Sequence, residues 1–131
     1  MPDYTIEVTY HLPVYRHRTY SADTPAAACR LAVDDDEWTT GKFDHDSAGE
    51  NYVTGIWEGV DAAYSSPAIP VPSHFGETIQ RKAAHFEILL GLLKMLVADL
   101  LAHRASSHEW VDRATWAIAR GEAIIAGARD P

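Results

Sequence analysis

Carboxylates dominate the chemistry available to this chain. Between Asp34 and Asp61 stand nine acidic residues (Asp34, Asp35, Asp36, Glu37, Asp44, Asp46, Glu50, Glu58 and Asp61) and a single basic one, Lys42. That stretch accounts for the whole formal net charge of −8, because acids and bases balance elsewhere. The aromatic residues Trp38, Phe43, Tyr52, Trp57 and Tyr64 are interleaved with it. Aromatic side chains left in solvent among carboxylates suit a protein interface: the rings supply buried contact energy, and charge of one sign steers a basic partner into place. Carboxylates also imitate phosphates toward nucleic-acid-binding proteins. The residues expected to meet such a partner are Asp34, Asp35, Asp36, Glu37, Trp38, Asp44, Asp46 and Glu50. The competing reading is an acidic face that serves only solubility. Direct nucleic-acid binding is disfavoured, since backbone affinity comes from Lys and Arg displacing counterions.

Other chemistry is weakly represented. Asp44-His45-Asp46-Ser47-Ala48-Gly49-Glu50 begins like a calcium loop, but Ala48 falls on a ligand position and Gly55 where a bidentate Glu is required, so a solvated turn is expected. The seven histidines include no His-x-x-x-His pair. One constellation remains, with His108 and Asp112 on a shared helical face and His103 folding back toward them; it would serve a metal-dependent enzyme. Cys29, the only cysteine, lies in an alanine-rich helix and reads as a buried small hydrophobe rather than a thiolate. No nucleophile elbow, phosphate loop or dinucleotide fingerprint occurs, and no cofactor is expected.

These residues must be positioned by a chain of 131 residues, enough for one core and hence a single domain. With 47% hydrophobic and 23% charged residues it lies in the globular range. A lone cysteine and the lack of a secretory pattern after Met1 point to the reducing cytoplasm. The most apolar run, Ile88 to Leu101, contains Lys94 and Asp99 and falls short of the roughly 20 apolar residues of a spanning helix, so no membrane is expected.

The fold class expected is α+β: an N-terminal ββαββ antiparallel sheet with one helix (residues 1–64), a proline-rich connector (65–76) and an antiparallel helical hairpin (77–131). Tyr4 to Tyr10 alternates, placing Tyr4, Ile6, Val8 and Tyr10 on one buried face. Val14 to Ser21 has strand composition, and a hairpin is its cheapest connection to the first strand. Arg16 and Arg18 blur its alternation, since they share a face with Val14 and Tyr20. Thr24 caps a helix whose first turn holds Pro25 and which runs to about Val33. A second hairpin is expected from Thr39–Phe43 and Tyr52–Trp57, with Gly55 marking a bulge or a close backbone approach. Ser106 and Glu109 fit a capping box, and Gly121 would let the last helix cross closely.

The stretch from Glu77 to Arg104 repeats every seven residues through Ile79, Phe86, Leu93 and Leu100, with Leu89 and Leu96 beside them. Ile88, Leu92, Met95 and Leu101 widen the apolar surface beyond what one partner can cover. Either the sheet and the last helix share it, or a second copy completes a four-helix bundle. The expected homodimer face is Phe86, Leu89, Leu93, Leu96 and Leu100.

The run Tyr15-Arg16-His17, the helix from Ala26 to Asp36, Tyr52-Val53-Thr54-Gly55-Ile56-Trp57, and Ile69-Pro70-Val71-Pro72-Ser73-His74-Phe75-Gly76-Glu77 together resemble short uncharacterised proteins of proteobacterial plasmids and other mobile elements. The likeness covers about the first two thirds of the chain. It brings no catalytic motif. What it implies is a setting in which small acidic proteins block or tune host systems such as restriction or CRISPR interference. The expectation is therefore a small acidic non-enzymatic accessory protein that binds a basic protein surface and modulates a nucleic-acid-binding system. The alternatives are a homodimer with no acidic-face partner, and the metal enzyme of His103, His108 and Asp112.

Overall fold

Strand length decides the pairing. The structure, a computed structural model, describes residues 1–131. Strand β1 (Tyr4–Thr9) has six residues, whereas β2 (Val14–Tyr15) has two. A two-residue ladder cannot satisfy the backbone of β1, but the seven-residue β4 (Tyr52–Glu58) can. Accordingly β1 pairs antiparallel with β4, and β2 with β3 (Lys42–Phe43). The ββαββ order holds, with α1 at Pro25–Asp34. The two sequential hairpins expected do not form, and the four strands make two two-stranded sheets.

The chain resolves into two compact units, residues 1–9 with 51–131 and residues 10–50. Their boundaries fall at Thr9/Tyr10 and Glu50/Asn51, away from the proline-rich connector. In the first unit the connector's Ile69 donates its backbone N–H to Ile56 of β4.

In that first unit, the register runs from Tyr4 opposite Glu58 to Glu7 opposite Gly55, then slips so that Val8 faces Val53. Thr54 is the extra residue of this bulge, beside Gly55 where the sequence suggests one. A Cβ on Gly55 would lie inside the indole of Trp57, so glycine here is what lets the ring fold flat over the strand. Trp57 is buried and meets Tyr64 with ring centroids 4.7 Å apart. The face of β1 that packs is therefore the polar one. The Thr5 hydroxyl donates to Gly59 O at 2.8 Å and accepts from Ala62 N at 3.0 Å. Glu7 accepts from the hydroxyls of Thr54 and Tyr64, both at 2.5 Å, and these bonds hold its carboxyl below the usual glutamate range. Tyr4, Ile6, Val8 and Tyr10, expected inside, are exposed.

After the connector, α2 (Thr78–Leu101) and α3 (His108–Ala126) pack as the expected antiparallel hairpin. The α3 cap is Ser107, which accepts from Trp110 N at 3.3 Å. The expected Ser106–Glu109 capping box is absent because both side chains are taken: Ser106 bonds Asp99, and Glu109 pairs with Arg113 one turn on at 2.7 Å. Gly127, at φ +68°, closes the helix in the left-handed conformation glycine adopts without steric cost. Gly121 is not essential to the crossing, since a Cβ there would make only ordinary contact with His85.

Polar side chains line the α2–α3 seam. His85 is buried and its Nε2 donates to Ala117 O at 2.7 Å, which leaves Nδ1 to accept from Arg120 at 2.9 Å. Arg81 donates to Ala128 O at 2.8 Å and to Asp130 at 2.6 Å, and Arg120 reaches the other Asp130 oxygen at 3.2 Å. Burial pushes the Asp130 carboxyl up, but the two guanidinium groups outweigh it and hold it below the usual aspartate range. No helix is long and apolar enough to cross a membrane.

A carboxylate-flanked aromatic surface

Residues 10–50 are built around one arginine. Thr24 accepts from Ala27 N at 3.1 Å and starts α1 with Pro25 in its first turn, as the sequence indicates. The other end leaves carbonyls without helical partners. Arg16 takes them: its guanidinium donates to Ala32 O at 3.0 Å and also to the carbonyls of Asp35 and Glu37. A cation at a helix C-terminus also opposes the macrodipole. Trp38 then lies over the guanidinium, whose carbon is 4.1 Å from the ring centroid.

Asp35 is drawn inward by the same arrangement. It accepts from Tyr20 OH at 2.6 Å, from Glu37 N at 3.0 Å and from Arg18 at 2.7 Å. Those three partners, Tyr20 foremost, hold its carboxyl far below the usual aspartate range, and Asp35 in turn raises the Tyr20 hydroxyl. Arg16 and Arg18, which spoil the alternation of the second strand, are there for the acidic run; two cations and a tyrosine at i, i+2 and i+4 were the available signal.

The direction of this shift makes the stability of the segment depend on pH. Because the native carboxyl lies below its unfolded value of about 3.9, the stabilisation is complete above the ordinary aspartate range. It is lost as the pH falls through the lowered native value, where the folded state also takes up the proton. Asp35→Asn is therefore expected to speed amide exchange across residues 10–50 at neutral pH. The difference from the parent chain should close in strong acid. An equal difference at every pH would show that the carboxylate charge is not the cause.

The remaining acids separate. Asp34 faces Arg30 one turn back, at 3.9 Å and in solvent, which is worth little. Glu37 folds onto its own Thr39, which lowers its carboxyl. Asp36 and Asp46 are exposed, and neither they nor Asp44 forms an ion pair. Asp44 accepts from Ser47 N at 3.3 Å and caps a short 3-10 turn, His45–Ser47, where the calcium-like spacing occurs. Glu50 is exposed at the end of this unit. Glu58 and Asp61 belong to the other unit.

Three of the interleaved rings stay in solvent, Tyr64 in the other unit and two in this one. Trp38 is 51% and Phe43 63% exposed. Val14 stands opposite Phe43 in the β2–β3 ladder, and Gly41 packs between Val14 and Trp38, where a Cβ would approach Val14 to 3.0 Å. The product is an apolar patch of Trp38, Val14 and Phe43, flanked in sequence by the unpaired carboxylates Asp36, Asp44 and Asp46.

One other expectation is corrected, and one alternative finds no site. Cys29 is exposed rather than buried, because only Ala28 and Ala32 of α1 turn inward, and it borders a hollow lined by Arg16, Arg18 and Tyr20. His103, His108 and Asp112 form no group able to hold a metal. The turn between the helices is set instead by Arg104, whose side chain returns to Asp99 at 2.9 Å while His103 takes a left-handed φ of +54°. No protein-family model, curated protein or solved structure matches the chain.

Proposed function

We propose that this chain is a small acidic accessory protein that docks on a basic protein surface through residues 34–50 and so modulates a nucleic-acid-binding system. One observation carries the reading: Trp38 and Phe43 face solvent beside carboxylates that have no cation of their own. Exposed rings next to unpaired charge offer a partner both contact area and steering. Asp35 has no part in this docking surface, since its oxygens are already satisfied.

The test uses the immobilised chain against heparin-purified proteins of a proteobacterial lysate, a pool enriched in nucleic-acid-binding proteins. Binding is expected at low salt and should weaken as salt rises, because exposed charges are screened over about 8–10 Å. Trp38→Ala combined with Phe43→Ala should weaken the captured complex by at least about 30-fold, the scale of one strong interface residue. Asp36→Lys with Asp46→Lys should slow association more than it speeds dissociation. Capture that ignores both salt and the double alanine change would sink the proposal. In that case the second reading, a homodimer without an acidic-face partner, would be favoured by the apolar helix face described next.

A further inference from the structure

Helix α2 buries the wrong residues for a helix whose sole partner is α3. Within the chain it buries Arg81, His85 and Asp99. Phe86, Leu93 and Leu100, spaced by seven, remain 63%, 59% and 74% exposed. The hydrogen bonds of His85 to Ala117 and of Arg81 to Ala128 turn the polar stripe toward α3. The heptad line is thereby rolled about a quarter turn away from it. Leu89 lies on that exposed line, and Ile118 and Ile125 extend it across α3, again seven apart and again exposed. Leu96 alone of the expected dimer residues is half-buried; Leu89 and Leu93, though exposed, border the same crevice with Ala114 and Ala117.

We propose that a second copy of this chain covers this line, the two hairpins closing into a four-helix bundle with α2 antiparallel to its mate. The proposal is independent of the acidic surface in residues 10–50. A sustained seven-residue repeat is matched by another helix bearing the same repeat, which a second copy supplies by symmetry. The area also suffices: six large side chains at these exposures offer on the order of 700 Å² per copy, against about 800 Å² per partner in a standard stable interface. Orientation follows from Lys82, which takes the place in the repeat between Ile79 and Phe86. Side-by-side helices would set Lys82 against its mate, whereas antiparallel ones separate the pair by roughly 20 Å at 1.5 Å per residue and oppose the helix dipoles.

Sedimentation of the intact chain is expected to give the mass of two copies, and Leu93→Arg the mass of one with helical circular dichroism retained. Should Leu93→Arg fail to fold, engineered cysteines decide. In a Cys29→Ser background, Leu89→Cys near the middle of α2 should form a disulfide-linked dimer on mild oxidation, because bridging requires Cα atoms within about 7 Å. Lys82→Cys and Trp116→Cys should not. A monomeric parent chain, meaning that a foreign helix or a lipid surface takes the line, would overturn the proposal, as would a Leu93→Arg chain that stays dimeric. Linkage through Trp116→Cys instead of Leu89→Cys would do the same. Linkage through Lys82→Cys as efficient as through Leu89→Cys would overturn the antiparallel arrangement.

Discussion

Trp57→Ala is expected to cost about 3–5 kcal/mol, the range for truncating a buried aromatic ring, read as a lower urea midpoint at unchanged slope. The ring is buried between Gly55 and Tyr64, and the apolar side chains buried with it in the same unit are few: Ala62, Ala117 and Ile124. Gly55→Ala should itself destabilise by about 1–3 kcal/mol through overpacking, although alanine lowers the entropy of the unfolded chain. The informative measurement is the pair. With the indole removed, the added methyl has nothing to strike, so the double variant should be no less stable than Trp57→Ala alone. Additive losses would mean that the indole does not lie over Gly55.

The second large effect belongs to the clamp at the start of α2. Arg81→Ala leaves Asp130 with only Arg120 and leaves Ala128 O without that donor. Removing one member of a fully buried ion pair costs about 3–5 kcal/mol. The Arg81 side chain is 8% exposed but that of Asp130 is 26%, so solvent takes up part of the loss. The expected cost is about 2–3 kcal/mol. Arg81→Lys should recover little, since a single ammonium does not reproduce the planar fork that serves a carboxylate and a carbonyl together. Full recovery by lysine would reduce the clamp to a point charge.

Local signals were legible wherever neighbours in sequence decide the outcome. The cap at Thr24 with Pro25 behind it, the length of α2 and the special place of Gly55 all depend on residues within a few positions of one another. The acidic concentration and its interleaved aromatics were legible too, as was the ββαββ order. What failed depended on distant competition. The hairpin of β1 with β2 was the cheapest by loop length, yet Arg16 is claimed by the carbonyls ending α1, the ladder of β2 stops after Tyr15, and β1 turns to β4. Ser106 satisfied a capping pattern, but Asp99 claimed its hydroxyl first.

The sequence by itself determined where aromatic rings and carboxylates are interleaved, around Trp38 and Phe43, and where the seven-residue line of α2 runs. Tertiary structure decided which of them stay exposed. It drew Asp35 inward, because Arg18 and Tyr20, in the segment after the second strand, bind its oxygens more closely than water would. It also rolled α2 onto its polar stripe, because Arg81 and His85 find backbone carbonyls on the α3 side that Phe86 and Leu93 cannot use. Hydrogen-bond partners brought together by the fold, rather than the hydrophobic period, set which face of that helix turned outward.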